Sequence, residues 1–62
     1  MTIKEAREYY GIKEGETVYA KGINYLISVN VSRRNVWSLS SSDREKITKD
    51  IEALQALLQI AK

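Results

Sequence analysis

Apolar residues in the last third of the chain recur with helical spacing. Ile47, Ile51, Leu54, Leu58 and Ala61 follow one another at steps of four, three, four and three, one stripe of an α-helix. The spacing predicts a helix over 42–62. Ser42 with Glu45 three residues on forms a capping box, in which each side chain satisfies a backbone donor of the first turn. Asp43 and Glu45 at the start and Lys62 at the end suit the helix dipole, and Glu45 with Lys49 is a favourable i,i+4 pair. A shorter helix is predicted at the other end of the chain. Thr2 caps it, Glu5 completes a second capping box, and Ile3, Ala6 and Tyr10 share one face with Tyr9 at its edge. Gly11 stands where a left-handed residue closes a helix. Ile12 to Glu16 is polar, contains Gly15 and reads as a loop.

From Thr17 the period changes to two. Val18 and Ala20, then Ile23, Tyr25, Ile27, Val29 and Val31, then Trp37 and Leu39 alternate with their neighbours as half-buried strands do. A two-residue turn at Lys21-Gly22 and a three-residue loop at Ser32-Arg33-Arg34 both keep the large apolar residues on one face. The other face, with Leu26, Ser28, Asn30, Val36, Ser38 and Ser40, is mostly polar and is expected in solvent. The predicted fold is therefore α+β, a single domain over 1–62. It has a short N-terminal helix, a two- or three-stranded antiparallel sheet and a long C-terminal amphipathic helix packed on one sheet face. Tyr10, Tyr25 and Trp37 fall in its core.

Composition narrows the chemistry. Sixty-two residues supply one small core, and the absence of Cys and His removes disulfides and the usual structural zinc. No apolar run approaches the ~20 residues of a membrane span, and the N-terminus lacks the basic-then-apolar layout of a signal peptide. A soluble, cytoplasmic protein without a membrane partner is expected. The serines at 38, 40, 41 and 42 have no His to activate them, and Gly11, Gly15 and Gly22 lack the spacing of a phosphate-binding loop. These patterns predict no enzymatic activity, no cofactor, no metal and no small-molecule substrate.

Surfaces carry what remains. Ala53, Ala56, Leu57 and Ile60 widen the apolar arc of the last helix beyond what one sheet face requires. Either the first helix covers this strip through Ile3, Ala6 and Tyr10, or Leu57 and Ile60 contact a protein partner or a second copy. On the second reading, Leu57→Glu abolishes association and leaves the monomer folded. The net charge of +2 is confined to Arg33 and Arg34, because the acidic and basic residues balance elsewhere. At a hairpin tip these arginines are either a solvated turn or an electrostatic contact for an acidic protein surface or a phosphate backbone. Tyr19 and Lys21 would join them in a nucleic-acid contact, which two arginines make weak and salt-sensitive. The leading function is a non-enzymatic interaction or assembly module. The alternative is a small nucleic-acid-binding protein using an arginine-tipped β-hairpin.

About half of the chain resembles the head–tail joining protein W family of tailed phages. The matching residues are Gly22, Ser28-Val29, the paired Arg33-Arg34, Val36, the polar lead-in Ser40-Ser41-Ser42-Asp43, and Ile47, Ile51, Glu52 and Leu54. The chain departs from the family at Gly11, Gly15 and Thr17-Val18-Tyr19, which interrupt its long first helix, and it lacks the family's basic tail. The resemblance implies two helices flanking an antiparallel hairpin. It also implies a non-enzymatic virion protein that assembles as a ring at the head–tail junction, with connector and tail proteins as partners and packaged DNA nearby.

Overall fold

In a computed structural model covering residues 1–62, Thr2 caps helix α1 (Ile3–Tyr10) through both arms of the expected capping box. The Glu5 N–H donates to Thr2 Oγ1 at 3.1 Å, and the Thr2 N–H donates to Glu5 Oε1 at 3.2 Å. These bonds hold the Glu5 carboxyl below its usual range, because they favour the ionised form. Gly11 ends the helix at φ 67°, a left-handed conformation that a side chain would strain.

The stretch expected to be a sheet is a helix. Residues 20–34 form α2 (Ala20–Arg34), and the fold has no strand, so it is all-α and not α+β. The two turns that would have made a meander do not form. Gly22 lies inside α2, with φ positive only at Gly11 and Gly15. Ser32-Arg33-Arg34 supplies no residue suited to the left-handed position that a three-residue hairpin loop requires. As a helix, the same residues bury Ile23 and Asn30 and half-bury Ile27 and Val31. Ile23, Ile27, Asn30 and Val31 recur at steps of four, three and one, a single helical face. Asn30, expected in solvent, is 8% exposed, and its Nδ2 donates to the Leu26 carbonyl at 2.8 Å.

Helix α3 (Ser41–Leu58) begins one residue before the predicted span and stops four residues short of it. Ser40, not Ser42, is its cap. The Ser40 Oγ accepts from the Asp43 N–H at 3.3 Å. Past Leu58 the chain turns back, and residue 62 pairs with the segment that leads into α2. The Lys62 N–H donates to the Val18 carbonyl at 2.8 Å, and the Ala20 N–H donates to the Lys62 carbonyl at 2.9 Å.

Helix α3 is the centre of the molecule. Helix α2 runs antiparallel to it, joined at one end by the residue 62 pairing and at the other by Arg44, whose Nη2 donates to the Val36 carbonyl at 3.2 Å. Helix α1 packs on α3 as well, and α1 and α2 do not pack on each other. Leu54 and Leu57 lie at the middle of a core that includes Ala6, Ile23, Ala53 and Ala56. The first helix thus covers the second apolar strip of α3, with Ala6 fully buried against it. Three helices with one in the middle make an elongated body, 39 × 20 × 14 Å. Its radius of gyration is 12.1 Å, against roughly 11 Å for a compact domain of this length.

Candidate functional site

Helix α2 has apolar residues on two sides. Ile23, Ile27 and Val31 turn toward α3, and Tyr25, Leu26 and Val29 turn away and are exposed. At about 100° per residue, Gly22, Leu26, Val29 and Arg33 fall within roughly 60° of one another, a stripe along the outer side of the helix. A helix apolar around most of its circumference is ordinarily buried on both sides. Here α3 covers one.

Beside the start of this stripe lies an open groove of about 410 Å³. Tyr10 and Ile12 line it from the α1 side, Ile23 and Leu26 from α2, and the α3 residues Leu54 and Leu57 form its base. Glu16, Val18 and Tyr19, from the segment that leads into α2, line it as well. The groove exists because α1 and α2 flank α3 without meeting. Beyond the other end of α2, Trp37 is 89% exposed on the connector between α2 and α3. The connector is anchored by the Arg44 bond to Val36 and by half-buried Leu39, so the indole is displayed on a fixed support.

The residues expected at the site are dispersed. Leu57 is 1% exposed, a core side chain that reaches the surface only at the base of the groove, and Ile60 is half-buried against the same core. Arg33 and Arg34 sit in the last turn of α2, where they complement the helix dipole, and there is no hairpin tip. Arg33 is exposed and Arg34 half-buried, since neighbours on a helix point about 100° apart. Tyr19 is 65% exposed, beside the groove. Lys21 lies about 18 Å from Arg33 along the helix and about 120° around it, so the two do not form one basic patch. Tyr25 and Trp37, placed in the core by the strand pattern, are exposed at 68% and 89%.

Comparison with known protein families, with curated proteins and with solved structures found no match.

No group of three or more acidic, His or Cys side chains is placed to hold a metal ion, and no helix is long and apolar enough to cross a membrane. The polar feature with the strongest perturbation is structural. The Tyr9 hydroxyl donates to Asp50 Oδ1, and the Tyr10 hydroxyl donates to the Asp50 main-chain carbonyl at 3.1 Å, fastening the end of α1 to α3. The hydrogen bond to Asp50 pushes the Tyr9 phenol up from 10 to about 12, with burial and the Asp50 charge adding to it. Burial raises Tyr10 as well. A phenol whose folded value lies above its unfolded value stabilises the fold fully below pH 10, and that contribution is lost as pH rises through 12. Asp50→Asn is expected to return Tyr9 toward 10. An alkaline titration of tyrosinate absorbance, compared with Tyr9→Phe to assign the step, measures this, and a Tyr9 step unchanged by Asp50→Asn would contradict it.

The strand pattern put Val29 and Trp37 on the buried face and so hid them as surface residues, while Leu26 was expected in solvent and is exposed. Two signals for them were present. Leu26 and Val36 are large apolar side chains on the strand face expected to be polar, and Gly22, Leu26, Val29 and Arg33 recur at steps of four, three and four.

Proposed function

We propose that this chain is a non-enzymatic protein-interaction module whose contact surface is the outer side of α2 and the groove beside it. One observation carries the reading: α2 presents three large apolar side chains, Tyr25, Leu26 and Val29, to solvent on the side that α3 does not cover. The exposed Trp37 supports it, since an aromatic side chain held out on a fixed connector is the residue type that anchors interfaces. The surface moves from the end of α3, where the sequence pattern put it, to α2. The head–tail assembly role implied by the phage resemblance loses its basis in the hairpin, because the residues that carried it, Ser28 to Val36, are helical or follow the helix. Nucleic-acid binding is weakened in the same way. Without a tip, Arg33 and Arg34 diverge, and Lys21 faces elsewhere.

The test is whether the apolar side of α2 is surface or core. The double variant Leu26→Lys with Val29→Lys is expected to keep its far-UV spectrum and lose less than about 1 kcal/mol of stability, as surface substitutions do. It should also bind less of a fluorescent hydrophobic dye than the parent. Measurements belong at concentrations low enough that stability no longer depends on concentration. Unfolding of the double variant would show the stripe to be core and would overturn the proposal.

A further inference from the structure

The geometry points to a second copy of this chain as the partner, docked about a two-fold axis. In this arrangement the two α2 helices run antiparallel and Trp37 of each copy fills the groove of the other. The inference rests on reading the α2 side as an interaction surface and adds its occupant.

The two ends of the surface are complementary and too far apart to meet within one copy. At the start of α2 is an apolar groove of about 410 Å³ without a side chain to fill it. Past its end is a tryptophan, 89% exposed, without a pocket. The 15 residues of α2 separate them by about 22 Å. A two-fold axis passing between Leu26 and Val29 exchanges the ends. It pairs Leu26 with Val29 of the other copy and Gly22 with Arg33, and it brings the connector that carries Trp37 to the end of the other copy's α2 where the groove lies. The contact is isologous, so one operation fills both grooves and covers both indoles, and the assembly closes at two. A parallel pairing would set one Trp37 beside the other and leave both grooves open.

Charge selects the same orientation. Helix α2 carries Lys21, Arg33 and Arg34 and no acidic residue, so parallel helices would gather four arginines at one end, whereas the antiparallel pair divides the cations equally between its two ends, with Arg34 near Lys21 of the other copy. Antiparallel helices oppose their dipoles and lay each Arg33 across Gly22 of the other copy, where a Cβ would meet nothing within 4 Å. Glu16 lines the groove at that point and supplies the opposite charge. Area agrees. The exposed surface is 4608 Å², against about 4,100 Å² for a compact monomer of this mass. The excess of roughly 500 Å² is more than half of the ~800 Å² that each partner buries in an interface of standard size.

Sedimentation equilibrium of the full chain from micromolar to millimolar concentration tests this, read together with the emission of its single tryptophan. The mass is expected to rise from 7.1 kDa toward twice that value, with Trp37 emission shifting to the blue over the same range. Trp37→Ala and Leu26→Lys should each weaken association at least about tenfold, a typical cost of removing an interface anchor, with unchanged far-UV spectra. Arg33→Glu and Glu16→Arg should each weaken association, and an equimolar mixture of the two should recover it, because only in antiparallel order does every contact then join opposite charges. A mass of 7.1 kDa at all concentrations, or a dimer whose Trp37 emission does not move and whose charge variants do not rescue each other, would overturn the inference. A strict monomer would leave the interaction-surface reading to its own test, the stability of the Leu26→Lys, Val29→Lys variant, so the two fail separately.

Discussion

Leu57→Glu is expected to unfold the chain. Leu57 is 1% exposed and lies with Leu54 at the middle of the core, where truncation of a leucine to alanine alone costs about 2–5 kcal/mol. A domain of 62 residues has only about 3–9 kcal/mol in total at the usual stability per residue. Glutamate loses the same packing and adds the cost of a carboxylate with no partner in an apolar setting. Far-UV spectra and urea titration should show loss of helix in buffer alone. The sequence pattern implied the opposite result, a folded monomer that no longer associates, so this variant separates the two arrangements directly. A folded Leu57→Glu monomer would place residue 57 at the surface and contradict the packing of α3.

Ala6→Leu is the second large effect, and it is local. Ala6 is 0% exposed and is the point at which α1 approaches α3, in one cluster with Ala53 and Ala56. Small side chains on both helices leave no room for a larger one, and overpacking of this kind costs about 1–3 kcal/mol. The cost falls on α1, whose 8 residues are too few to hold as an isolated helix when ~12–15 are marginal. The expected result is a variant in which amides of α1 exchange quickly and those of α3 remain protected. Tyr9, released from Asp50, should then titrate near 10 instead of about 12. A variant of full stability with Tyr9 still raised would mean that the α1–α3 contact can widen to accept a leucine.

The ends of the chain were legible in the sequence and its middle was not. Thr2 with Glu5 and then Gly11 specify α1 completely, because a capping box and a left-handed glycine bracket it. The periodic leucines and isoleucines of α3 identify the helix and its stripe. Its start was misplaced because Ser40, Ser41 and Ser42 are equivalent as cap residues, and only the pairing with Asp43 chooses among them. Helix α2 was read as strands for a physical reason. Residues 23 to 31 carry β-branched or aromatic side chains at alternate positions, and Ile23, Ile27 and Val31 are also four apart, so periods of two and 3.6 both fit. An apolar helix side left open to solvent removes the contrast on which that choice depends. The candidate site was lost with it, since the residues that make α2 ambiguous, Tyr25, Leu26 and Val29, are the ones that form its exposed side.

Because α1 and α2 each rest on α3 and not on one another, the chain has two arms on one spine. Departure of α1 breaks its own contact at Ala6 and the Tyr9 and Tyr10 bonds to Asp50, and it leaves the antiparallel pair of α2 and α3 standing. In that partly opened form the groove keeps its α2 wall and its base of Leu54 and Leu57 but loses the side supplied by Tyr10. One wall of the groove therefore depends on an eight-residue helix held at Ala6 and Asp50, and a ligand gripping both walls is expected to hold that helix in place.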